Sequence, residues 1–192
     1  MVRDIAPGPT WSITEPYQRM VVSGDSVYFW ASDNGSYAVN LWRSDGTATG
    51  TIRITNLGNE KQSPGAVAAI GTHGAIFTDG YATRLFVTDG SIEGMSVVAN
   101  LNGIDSLTFD HMVTARGVVY FAGAGELWRT DGTASGTRRV AQIGNGSSIE
   151  QMMELNGTLF LVVQGASFDD GYEIWRSDGT RDGATVAYPV SR

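Results

Sequence analysis

Four aspartates stand at the same place in four similar stretches of this chain: Asp45, Asp89, Asp131 and Asp178, spaced 44, 42 and 47 residues apart. A carboxylate can act as a general acid or base, or ligate a metal ion. Recurrence argues against both. A catalytic carboxylate needs surroundings found once, because those surroundings set its pKa. A residue that returns with every copy of a motif serves the copy. Each aspartate is followed by glycine and then by Thr or Ser. The expected task is to accept backbone N–H bonds inside a tight turn.

The other candidates for chemistry do not repeat. His73 and His111 are the two histidines, and neither has ligand-like or triad-like spacing with the other. Two oxygen-rich stretches could hold calcium: Asp33-Asn34-Gly35-Ser36, and Asp169-Asp170-Gly171 with Glu173. Neither matches an EF-hand loop or a calcium nonapeptide repeat, and a solvated turn is the ordinary reading. Calcium is thus the one cofactor worth testing, with Asp33, Asp169 and Asp170 as its candidate ligands. Trp11, Tyr17, Tyr37, Tyr81 and Tyr172 fall in connections that vary between copies. Aromatics over polar loops can stack on the apolar face of a sugar, so Trp11, Tyr37, Tyr81 and Tyr172 are the ligand-binding candidates. Packing under a loop is the competing reading. No phosphate-binding loop or dinucleotide fingerprint is present. Asn34, Asn145 and Asn156 each begin a glycosylation triplet, but each also suits a turn.

The bulk properties narrow the classes. The formal net charge is -7, and the positive charge is arginine apart from Lys61. Only Arg138-Arg139 forms a basic pair. An acidic surface without a basic patch repels phosphate, so no nucleic-acid partner is expected. There is no cysteine, which removes disulfides, thiolate metal sites and a cysteine nucleophile. No apolar run is long enough to insert in a membrane as a helix. Residues 1–10 lack the apolar core of a signal peptide.

The elements that position these residues are repeats. Leu41-Trp42-Arg43-Ser44-Asp45-Gly46-Thr47 returns at Leu85-Phe86, at Leu127-Trp128 and at Ile174-Trp175. A second glycine follows each first one: Gly50, Gly94, Gly136 and Gly183. Two apolar runs precede each motif and a short branched run follows it. Each unit therefore reads as four short strands. Gly24-Asp25, Arg116-Gly117 and Asn156-Gly157 supply tight turns between the first and second strands. Four-stranded antiparallel units of this length are blades of a β-propeller. The expected architecture is all-β: one repeat domain, 1–192, with four blades at about 16–57, 62–101, 108–143 and 149–190. The four blades form either a four-bladed ring or half of an eight-bladed assembly. The motif aromatics Trp42, Phe86, Trp128 and Trp175 are expected to fill equivalent gaps between blades.

The motif resembles the ELWxxDGT repeat, which occurs in tandem in large bacterial proteins. Residues 126–133 match it completely, and residues 173–180 match with Ile174 in place of leucine. The first copy has Asn40 where glutamate is expected, and the second has Arg84 and Phe86. The Asp-Gly turn is also similar to the Asp-box of sialidase-type propellers, where the aspartate shapes a hairpin and takes no part in catalysis. The resemblance implies a bacterial, surface or secreted repeat protein. Val2-Arg3-Asp4-Ile5 looks like a fourth strand of this family, as does Thr185-Val186-Ala187-Tyr188. A surplus strand near 2–5 is thus expected, either left over from a longer parent array or pairing with a terminal blade, in this chain or in a homodimer partner, to close a ring.

The functional expectation is a non-enzymatic binding or scaffold propeller, recognising a protein or a cell-surface glycan through loops that differ between blades. One alternative is a glycoside hydrolase or lyase on the same architecture, which needs convergent carboxylates. The other is a purely structural segment of a larger surface protein. An uncovered terminal blade would expose an apolar face, so closure or a partner is expected.

Overall fold

Short branched and aromatic runs separated by Gly turns form sixteen strands in a computed structural model that describes residues 2–7, 20–33, 39–56, 65–79, 84–101, 112–123, 125–144 and 146–189. The strands make four antiparallel sheets, each of four strands in chain order. Sheet I holds β1 (Val21–Ser23), β2 (Ser26–Ala31), β3 (Asn40–Ser44) and β4 (Ile52–Arg53). Sheet II holds β5 (Val67–Ile70), β6 (Gly74–Thr78), β7 (Arg84–Thr88) and β8 (Ser96–Asn100). Sheet III holds β9 (Met112–Ala115), β10 (Val118–Gly123), β11 (Glu126–Thr130) and β12 (Arg138–Gln142). Sheet IV holds β13 (Ser148–Leu155), β14 (Thr158–Gln164), β15 (Tyr172–Ser177) and β16 (Ala184–Pro189). No helix among the described residues is long and apolar enough to cross a membrane.

The motif occupies the third strand of every sheet, and its register is constant. Phe29 lies opposite Trp42, Phe77 opposite Phe86, Phe121 opposite Trp128 and Leu161 opposite Trp175. The fourth strand bulges at one place. Its register shifts beside Leu85-Phe86, Leu127-Trp128 and Ile174-Trp175. In sheet I the Leu41 carbonyl accepts from two successive amides, Ile54 at 2.8 Å and Thr55 at 3.3 Å. Such a bulge adds twist, and in sheets II, III and IV the pairing resumes beyond it.

The chain divides into two compact units, Met1–Asn100 and Leu101–Arg192, with two sheets each. Because side chains alternate along a strand, each sheet has a face carrying the motif leucine and a face carrying the motif tryptophan. In the first unit, Tyr28, Trp30 and Leu41 from the leucine face of sheet I form one core with Ala75, Phe77 and Phe86 from the tryptophan face of sheet II. Trp30 meets Phe77 edge to face at 5.9 Å, and Phe77 stacks on Phe86 at 5.1 Å. In the second unit, Tyr120, Ala122 and Leu127 of sheet III pack on Leu159, Leu161 and Val163 of sheet IV by the same rule.

Two expectations change. Residues 2–5 form no strand. A strand needs a free edge to pair with; here Ile5 packs on the tryptophan face of sheet I with Val27, Phe29, Ala31 and Trp42. Arg3 lies over the Trp42 ring at 5.8 Å and donates to the Thr51 carbonyl. The motif aromatics are also not equally buried. Trp42 and Phe86 are core, whereas Trp128 and Trp175 are half-buried. Trp128 stacks on Phe121 at 6.2 Å.

Candidate functional site

The repeated aspartates do their work inside their own turns. Asp45 Oδ1 accepts from the Thr47 amide at 2.9 Å and from the Thr47 hydroxyl at 2.7 Å. The Thr47 hydroxyl accepts from the Gly50 amide at 2.9 Å. The Ser44 hydroxyl accepts from the Gly46 amide at 3.1 Å. Asp89 with Ser91 and Asp131 with Thr133 repeat this chain of bonds. Asp178 accepts likewise from the amide and hydroxyl of Thr180. The threonine hydroxyls, then the Thr amides, hold Asp45, Asp131 and Asp178 below the usual carboxylate range; for Asp89 the Ser91 amide comes first and its hydroxyl second. Both glycines of the motif follow from this geometry. The first has φ between 79° and 93° in the four copies, where a side chain is strained. The second is needed for space: a Cβ at Gly50, Gly94, Gly136 or Gly183 would overlap the turn's own aspartate carboxylate.

The motif's glutamate has an equally local task. Glu126 accepts from the Trp128 indole at 3.0 Å and Glu173 from the Trp175 indole at 2.9 Å. The two copies that depart from the motif compensate. Trp42, with Asn40 in place of Glu, donates to the Ala31 carbonyl at 3.2 Å. Phe86 has no indole, and Arg84 lies over its ring at 5.1 Å.

The calcium candidates are engaged as well. Asp33 pairs with Arg53 at 2.5 Å. Asp170 turns back to accept from the Ser167 amide at 2.9 Å, capping the short 3₁₀ turn Phe168–Asp170, which also carries Asp169. Glu173 is taken by Trp175. Among the described residues no three carboxylates or histidines converge as a metal site. His73 is exposed beside Asp25 at 3.5 Å. His111, Trp11, Tyr17, Tyr37, Tyr81, Asn34, Gly35, Ser36 and Asn145 lie outside the described residues.

Tyr172 was expected in a loop; it is instead the first residue of β15. It leads to a surface that single-residue reasoning missed. Tyr172, Ile174 and Arg176 alternate onto the leucine face of sheet IV. Phe160 lies opposite Arg176, Met153 opposite Phe160, Val162 opposite Ile174, and Tyr188 opposite Ile174. Met153, Leu155, Phe160, Val162 and Ile174 line an open apolar groove of about 380 Å³. The third-strand position is the telling one. Leu41, Leu85 and Leu127 are 0% exposed, while Ile174, their counterpart, is 38% exposed. Met153 and Tyr188 are exposed by 61% and 71%. Monomeric proteins rarely leave a contiguous apolar face of this kind exposed.

No family model matches the chain, and no curated protein matches it in sequence. Solved structures do match in shape. One is virginiamycin B lyase from Staphylococcus aureus, a catalytically inactive form with quinupristin, at TM-score 0.64 and 16% identity over 94% of this chain and 58% of that one. Another is a nidogen/laminin complex, at TM-score 0.55 and 18% identity over 87% of this chain and 62% of that one. A third is a puromycin hydrolase mutant complexed with PGG, at TM-score 0.51 and 14% identity, covering 33% of that chain. The chain thus spans less than two thirds of each. Its sheets are β-propeller-like.

Proposed function

We propose that this chain is a non-enzymatic binding or scaffold module whose four sheets are propeller blades, and that the leucine face of sheet IV is its partner-binding surface. One observation carries the reading. Ile174 stands at a position that is buried in the three other copies, yet it lies open among Met153, Phe160 and Val162. Leaving such a face in water forfeits the stabilisation that covering it would give, roughly 25 cal/mol per Å². The repeated carboxylates support the same reading from the other side, since each is spent on its own turn. Tyr172 and Tyr188 at the border of the face suit either a protein or a glycan surface.

An enzymatic reading merits a direct test, because the similar structures include a lyase and a hydrolase. The experiment is a glycan-array screen followed by mass spectrometry of retained glycans, with quinupristin as a second substrate. The expected result is that retained glycans are recovered intact and quinupristin is unchanged. Cleavage or elimination of any of them overturns the non-enzymatic reading.

A further inference from the structure

We propose that the leucine face of sheet IV docks on the tryptophan face of sheet I in a second copy of this chain, continuing between copies the stacking rule that joins the sheets within each unit. The inference rests on the proposed partner surface and names its occupant.

The rule is seen twice. Sheet I offers its leucine face to the tryptophan face of sheet II, and sheet III does the same to sheet IV. Each step also brings a tyrosine hydroxyl against the turn of the next sheet. The Tyr28 hydroxyl reaches the turn of sheet II, where a Cβ on Gly90 would overlap it, and donates to the His73 carbonyl at 2.5 Å. Tyr120 stands against Gly179 of sheet IV in the same way. Arg43, opposite Tyr28 on the same face, points its Nη1 at the Gly90 carbonyl, 3.5 Å away.

Sheet IV holds the same kit on a face that no other sheet of its own unit covers. Phe160 stands at the place of Tyr28 and Tyr120, Ile174 at that of Leu41 and Leu127, and exposed Arg176 at that of Arg43. Sheet I holds the receiving half. Its tryptophan face carries Phe29, Ala31 and Trp42, buried with Ile5 against them, and its turn is unfilled: among the described residues no atom lies within 4 Å of a Cβ on Gly46, unlike Gly90 and Gly179. Asp45, at that turn, is exposed and opposite in charge to Arg176. The two halves are complementary in shape class, apolar character and charge, and the interface is heterologous, so copies join head to tail.

Residues 2–7 stand where the fourth strand of an arriving sheet would lie. In the second unit, β12 of the earlier sheet meets the next turn through the Val140 carbonyl, which accepts from the Asp182 amide at 2.8 Å. In the first unit, Arg3 reaches the Thr51 carbonyl at the end of the turn and Ile5 covers the apolar face. The segment is a strap that the incoming sheet displaces.

The test is sedimentation equilibrium of the full chain. Wild type self-associates. Ile174→Asp with Val162→Asp weakens association by at least about ten-fold, with melting temperature unchanged at concentrations too low for association, because both side chains are removed from an interface and not from the core. Arg176→Asp and Asp45→Arg each weaken it by about three- to ten-fold, and an equimolar mixture of the two recovers wild-type affinity. Ile5→Ser, which loosens the strap, tightens association. A wild type that stays monomeric at its highest soluble concentration overturns the proposal. So does association indifferent to Ile174→Asp with Val162→Asp, or a charge-reversed mixture that fails to recover, which would point to sheet IV pairing with itself. Each of these failures leaves the turnover screen untouched, and turnover would overturn the non-enzymatic reading without altering the association.

Discussion

Sheets I and IV are built from the same repeat, and each has a face that no other sheet of its own unit covers. The tryptophan face of sheet I is nonetheless buried, with Phe29, Ala31 and Trp42 under the strap of Arg3 and Ile5. The leucine face of sheet IV is open, with Met153, Leu155, Ile174 and Tyr188 in solvent. The difference teaches that the repeat specifies the blade but not its cover. A motif residue becomes core only where a neighbouring sheet or segment is supplied.

Leu127 and Ile174 give the sharpest way to break that comparison. They hold one motif position, one sealed and one open. Leu127→Ala should destabilise the chain by about 2–5 kcal/mol, since it empties the core between sheets III and IV. Ile174→Ala should cost less than about 1 kcal/mol at protein concentrations too low for association. Urea denaturation followed by tryptophan fluorescence measures both. Equal losses would mean that Ile174 is covered in solution.

The turns allow a second contrast. Gly46 and Gly179 share a positive φ, so alanine costs about 1–2 kcal/mol at either from the backbone alone. At Gly179 the added Cβ also overlaps the Tyr120 hydroxyl, whereas at Gly46 the space is free among the described residues. Gly179→Ala should therefore cost clearly more than Gly46→Ala, and Tyr120→Phe should recover part of the excess. The same denaturation series reads this, and equal costs would remove the contact between Tyr120 and the turn. A smaller effect is expected at Glu126, which serves the Trp128 indole and also accepts from Arg139 at 2.7 Å. Glu126→Ala should lower stability by about 0.5–1.5 kcal/mol, and Glu126→Gln, which keeps an acceptor, by less.

How much of this was legible in the sequence depends on whether a feature repeats. The four four-stranded antiparallel sheets, the motif on the third strand and the aspartate turn could be read because four copies spell them out. The role of the second glycine was visible only as a spacing. Its reason, the carboxylate folded over it, is a three-dimensional fact. The half-burial of Trp128 and Trp175 could not be read, since burial depends on what lies across the gap. Residues 2–5 carry the pattern of a fourth strand, but the pattern does not provide an edge to pair with. The use of Asp33 by Arg53, twenty residues along, and of Glu173 by Trp175 was hidden for the same reason. The open face was half legible. An uncovered terminal blade was expected, but which face it exposes follows only from the stacking order.

The smallest expected effect concerns the feature that sheets I and IV share. Asp45, Asp89, Asp131 and Asp178 all have carboxyls held below their ordinary value by their own Thr or Ser. A group whose folded pKa is lowered contributes stability above its unfolded value, which is about 4 for aspartate. That contribution is lost as pH falls through the lower, folded value. The side chains are exposed, so solvent screens each one and the sum is modest. Replacing all four by asparagine retains an acceptor in each turn but removes the charge. The melting temperature of wild type should exceed that of the fourfold variant above the ordinary aspartate range, and the gap should close on acidification. The remaining carboxylates titrate alike in both proteins and cancel in the difference. A gap of constant size across the acid range would mean that the aspartates act through shape alone. A gap that closes assigns part of every blade's stability to one charge held in one turn, in sheet IV as in sheet I, whichever of them is covered.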